Sequence, residues 1–76
     1  MSEEVQYKVT YMVYCVSAFA NHHGLNNKQA YSYLKRFKGI TFLDECYEAE
    51  HLLSISDAVT DLTIICNRNG GALSTP

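Results

Sequence analysis

Apolar residues recur every three or four positions from Val5 onward. At 100° per residue, Val5, Val9, Met12, Val13, Val16, Phe19 and Ala20 fall within an arc of about 120°, the stripe of a helix that faces a core. Ser2 stands in N-cap position before Glu3 and Glu4, whose charges suit the positive end of a helix dipole, and Gly24 offers a left-handed stop. The spacing therefore predicts a first helix from Ser2 to about His22, with His22 and His23 in its last turn. The opposite face is not polar: Tyr7, Tyr11, Tyr14 and Ala18 cluster there, and Gln6, Thr10, Ser17 and Asn21 form only a narrow strip between the two faces. The β-branched and aromatic run Val9 to Val16 also suits a strand. A stretch of about 17 residues without a turn signal is longer than an ordinary strand, so helix is preferred.

Further along, Asn26-x-x-Gln29 forms a capping box preceded by Leu25, and Ala30, Tyr33, Leu34 and Phe37 give the second helix its buried stripe until Gly39 ends it. Thr41-x-x-Asp44 can cap a short, acidic third helix with Leu43, Cys46 and Tyr47 on its apolar side. After a break at Leu52-Leu53, Ser54 or Ser56 starts a fourth, whose Ala58, Leu62, Ile65 and Cys66 face the core, and Asn69-Gly70-Gly71 closes it. The pattern predicts an all-α protein: a compact three- to four-helix bundle with a long, largely apolar N-terminal helix.

A length of 76 residues with one Pro and no linker allows one domain, placed at 1–71 with a flexible tail over 72–76. A net charge of −2 gives no field to attract a polyanion. Cys15, Cys46 and Cys66 are odd in number, widely spaced and set among apolar residues, which predicts three buried free thiols in a reducing compartment. The start is acidic where a signal peptide is basic, and the 13 uncharged residues between Lys8 and His22 fall short of the roughly 20 of a membrane span. The expectation is a cytoplasmic protein with no membrane role.

The stretch Tyr33-Leu34-x-x-Phe37-x-Gly39, then Phe42-Leu43-x-x-x-Tyr47-x-x-x-His51, then Ser56-Asp57, resembles the short bacterial proteins of domain-of-unknown-function family thirty-seven ninety-one, over roughly Val5 to Gly70. The resemblance implies that Tyr47 and His51 are a shared structural motif. It also implies an apolar residue before the histidine, where this chain has Glu50. It further implies a helical bacterial protein of unassigned activity and, because members are often encoded beside a second small protein of unknown or toxin-like type, a partner or antitoxin role by analogy.

Few constellations carry chemistry. Glu48-x-x-His51 has the spacing of carboxylate-bridged di-metal helices, with Glu45 one turn earlier, but the chain holds one such pair, so even if Asp57 and Asp61 helped no metal or cofactor is expected. Cys46 and His51 point apart on one helix, and Cys15 lies two turns from His22, so no nucleophile and base are paired and no enzyme is predicted. His51 is expected to pack on Tyr47 and bond a nearby carbonyl. The second and third helices have a helix-turn-helix outline, but Asp44, Glu45, Glu48 and Glu50 repel phosphate, while the basic side of helix 2 carries Lys28, Lys35, Arg36 and Lys38.

Helix 1 has no charge from Val9 to Asn21, although the far side of a bundle helix is ordinarily wet. Either the other helices wrap it on both sides, or its Tyr7, Tyr11, Tyr14 and Ala18 face meets another chain, since tyrosine buries a large ring and keeps its hydroxyl free to bond. The leading expectation is a protein-interaction module that binds a partner or itself through helix 1, with no small-molecule substrate. The alternative is a helix-turn-helix-like DNA-binding transcriptional adaptor.

Overall fold

The computed structural model describes residues 2–73, which form helices and no strand. They are α1 (Glu3–His23), α2 (Asn27–Arg36), α3 (Gly39–Glu45), α4 (Tyr47–Glu50) and α5 (Ile55–Arg68). Local chemistry explains most boundaries. Ser2 Oγ accepts the Val5 N–H, and Gly24 turns left-handed at φ 68° to close α1. Both halves of the Asn26/Gln29 capping box are made, at 2.8 and 3.0 Å. Ser54, not Ser56, caps α5 by accepting the Asp57 N–H.

Two boundaries differ from the sequence expectation. Gly39 does not supply the left-handed residue between α2 and α3; Lys38 does, at φ 73°. Gly39 instead opens α3 and lets it approach α2 and α5, since a Cβ there would meet Leu34 Cδ2 at 2.6 Å and Cys66 Sγ at 3.2 Å. Thr41 therefore lies inside α3 and caps nothing. The third helix foreseen up to His51 is two helices, because Cys46 leaves helical geometry at φ −106°, ψ 17°. That break is why the described residues form five helices where three to four were expected.

Phe19, Cys15 and Ala20 of α1, Ala30 and Leu34 of α2, Leu43 of α3, and Ala58, Val59, Leu62 and Cys66 of α5 make the core. The predicted stripe is buried in part: Phe19 and Ala20 lie in the core and Met12 and Val16 pack against it, while the rest of the buried face turns toward Cys15. Val5, Val9 and Val13 stand 44, 46 and 59% exposed, while Cys15 and Tyr11 turn inward. Hydrophobicity alone could not choose, because α1 is apolar on both sides. What α3 and α4 present decides it: Asp44 pairs with Lys8, and Tyr47 takes the edge of Tyr11.

Past α5, Gly71 fits where a Cβ would run into the Tyr33 hydroxyl and the Cys66 carbonyl, and its N–H bonds that carbonyl at 2.8 Å. Of the tail expected over 72–76, Leu73 packs on the core and donates its N–H to the Tyr33 hydroxyl at 3.2 Å. Residues 74–76 lie outside the described residues.

Candidate functional site

Two neighbouring surfaces of α1 concentrate the features that packing leaves unexplained. The first is the valine side. Val9, Val13 and Val16 line an apolar groove whose other wall is Tyr31 of α2 and whose end is Ile40 of α3, with Lys28 and Asn27 at its rim. Tyr31 is itself exposed. A row of apolar side chains left in water beside a groove is the kind of patch that soluble proteins keep for an interaction.

The second is the tyrosine side, which the structure splits. Tyr7 and Tyr14 are exposed at 63 and 64% and Ala18 is half-buried. Tyr11 is covered by Tyr47 and His51: the Tyr11 and Tyr47 rings meet edge to face at 5.5 Å, and the His51 ring lies 6.5 Å away. Tyr47 and His51 stack at 4.6 Å, and because the Tyr47 carbonyl can only accept, His51 Nδ1 carries the proton of their 2.7 Å bond. The four interface candidates therefore do not form one continuous surface.

The last residue of α4 is a feature that the sequence expectation did not include. Glu50 is only 6% exposed, its Oε1 has no hydrogen-bond partner, and the Tyr11 hydroxyl beside it is buried and unpartnered as well. Burial, with Asp61 and then Asp57 of α5 facing it, pushes the Glu50 carboxyl up to about 7. Burial likewise raises the Tyr11 phenol and the Cys15 thiol. The signal was in the sequence: Glu50 stands where the resemblance implies an apolar residue, and that position proves to be buried.

At the other end of α1 a polar group is fully satisfied. Thr63 Oγ1 donates to the Val59 carbonyl at 2.9 Å, so its lone pair accepts from His23 Nε2–H at 3.0 Å. Burial, and then His22, lowers the His23 pKa.

All three cysteines are free. Cys15 and Cys66 are buried as expected, whereas Cys46, at the break between α3 and α4, is only half-buried. Burial pushes the Cys66 thiol up to about 11. Glu45 and Glu48 lie in solvent, and no group of three or more His, Cys, Asp or Glu side chains among the described residues could hold a metal ion. In the helix-turn-helix outline, α3 has seven residues and carries Asp44 and Glu45, while Arg36 of α2 lies over the Phe37 ring. Among the described residues no helix is long and apolar enough to cross a membrane.

The model of a family described as "Protein of unknown function (DUF3791)" matches residues 10–69. No curated protein and no solved structure matches the chain.

Proposed function

We propose that this chain, which belongs to the DUF3791 family of proteins of unknown function, is a small helical protein-interaction module that binds through the uncovered apolar side of α1. The observation that carries the reading is the exposure of Val5, Val9 and Val13 beside the groove walled by Tyr31. In so small a chain association is a common remedy for a thin core, and a side of the longest helix left apolar and wet is where association removes most surface from water. In this reading α1, α2, α3 and α5 act as a four-helix bundle, α4 is an appended turn, and the largely apolar surface of α1 is the recognition element.

The partner is a neighbouring protein toward which the chain acts as an antitoxin-like or regulatory subunit, or a second copy. The role is binding rather than catalysis, because burial holds Cys15 and Cys66 as thiols and not as nucleophilic thiolates. Three free thiols also suit a reducing cytoplasm.

Val13→Asp tests this. The residue is exposed, so the fold should survive, while a charge in the valine row should dissociate a dimer by light scattering or abolish co-purification of a partner. Tyr14→Glu, on the other side of α1, should leave both unchanged. If Val13→Asp keeps its mass and partner while remaining helical by circular dichroism, the valine side is not the interface. If Tyr14→Glu alone dissociates the complex, the tyrosine side is.

A further inference from the structure

We infer that Glu50 is a proton-operated latch: as a neutral carboxyl it seats the α4 turn over Tyr11, and as a carboxylate it releases that turn from α1 and α5. The geometry is that of a group in the wrong charge state for its surroundings. Glu50 is the last residue of a four-residue helix that has no side-chain cap at its start. The residue is only 6% exposed, and its buried Oε1 meets no donor.

The titratable groups that face it offer no compensating charge. From α1 come the Tyr11 phenol and the Cys15 thiol, both neutral, and from α5 come two more carboxylates, Asp61 and Asp57. On its own segment Glu48 is acidic and exposed, and the neighbouring His51 uses Nδ1–H on the Tyr47 carbonyl. From α1, Lys8 pairs with Asp44 of α3 and lies over the Tyr47 ring, 5.9 Å from its centre. Moving α4 outward brings both oxygens of an ionised Glu50 into water, and an α4 held by one turn of backbone can move at little expense.

The sign follows from linkage. A carboxyl near 4.5 when α4 is open and near 7 when it is closed binds more protons in the closed state between those values. Closure is therefore favoured at low pH, weakens as pH rises from about 4.5 to about 7, and stays weak above. The change lies close to neutrality. Opening would bare Tyr11 between Tyr7 and Tyr14, making one aromatic face where the closed form has two separated rings.

The experiment uses the whole chain and Glu50→Gln, with Glu50→Leu as a second variant that fills the site without a titrating group. Urea midpoints measured from pH 4.5 to pH 8 should fall with pH in the parent relative to both variants. At pH 8 a thiol reagent, read by mass spectrometry, should modify Cys15 on the order of a hundredfold faster in the parent than in Glu50→Gln, the factor that a shift from 4.5 to about 7 sets on the closing equilibrium. Cys66, packed under Gly39, should react at the same rate in both. Parent midpoints that run parallel to those of the variants overturn the latch. So does equal labelling of Cys15, and so does labelling of Cys15 and Cys66 that changes together, which would make Glu50 a determinant of global stability instead.

Discussion

The two ends of α1 bury polar groups in opposite ways. At the C-terminal end Thr63, 1% exposed, has its hydroxyl proton on Val59 and its lone pair on His23, and Phe19 closes over the imidazole at 4.5 Å. Toward the middle, Glu50 Oε1 and the Tyr11 hydroxyl are buried with no hydrogen-bond partner. The apolar surface follows the same division: Phe19 and Ala20 are fully covered, while Val5, Val9 and Val13 stand in water. A satisfied polar group in a packed core resists change, whereas an orphaned one in a thinly covered region stores free energy that any rearrangement can release. The C-terminal end of α1 is the scaffold, and the rest of the helix is the part free to respond.

The sharpest way to break that contrast is to remove a side chain from each end. Phe19→Ala should lose about 3–5 kcal/mol, the range for deleting a buried aromatic ring, and in a domain this small that approaches the whole stability. Val13→Ala, on the uncovered side, should stay within about 0.5 kcal/mol of the parent. Urea denaturation of the two variants beside the parent measures both. Similar losses at the two positions would mean that the valine side is covered in solution.

The polar contrast can be tested with near-isosteric changes. Thr63→Val leaves the His23 N–H facing a methyl group and should lose about 1–3 kcal/mol, while Tyr11→Phe removes a hydroxyl that bonds nothing and should be neutral or stabilising by up to about 1 kcal/mol. Acidity separates the ends further. His23 titrates below its ordinary 6.5, so the unfolded chain binds the extra proton first, and the contribution of this end is full above pH 6.5 and falls as pH drops through the folded value. The Glu50 end has the reverse sign. A nuclear magnetic resonance titration that puts His23 above 6.5 would remove the contrast.

What could be read in advance was what neighbours in sequence decide. Ser2, Asn26 with Gln29, Ser54 and Gly24 each act within four residues, and each acts as its residue type suggests. The rotational setting of α1 was legible at Phe19 and Ala20 but not at Val5, Val9 and Val13, because two apolar faces give periodicity little to choose between. Gly39 was recognised as a breakpoint but not for its reason, since a close approach of three helices cannot be seen from one segment. The aromatic and histidine one turn apart were legible, and the departure at Glu50 marked the buried carboxyl without revealing it. Asp57 and Asp61, which give that carboxyl its surroundings, come from α5 and meet it only in the fold.

Among the losses expected, that at His51 is smaller than those at Phe19 and Thr63, and it sharpens the comparison because this residue ties down the responsive end. Its Nδ1–H holds the Tyr47 carbonyl at 2.7 Å while its ring covers Tyr47 and, through it, Tyr11. The bond lies in solvent, where water can replace it, so His51→Ala should lose about 0.5–1.5 kcal/mol, the net worth of an ordinary hydrogen bond, and less than Thr63→Val. Its larger consequence should be local. With the ring gone, amide exchange of the 47–53 segment should accelerate while the amides of α2 and of the C-terminal turns of α1 keep their rates. A loss as large as that of Thr63→Val, with exchange rising throughout the molecule, would place His51 in the scaffold and move the boundary between the two regions past α4.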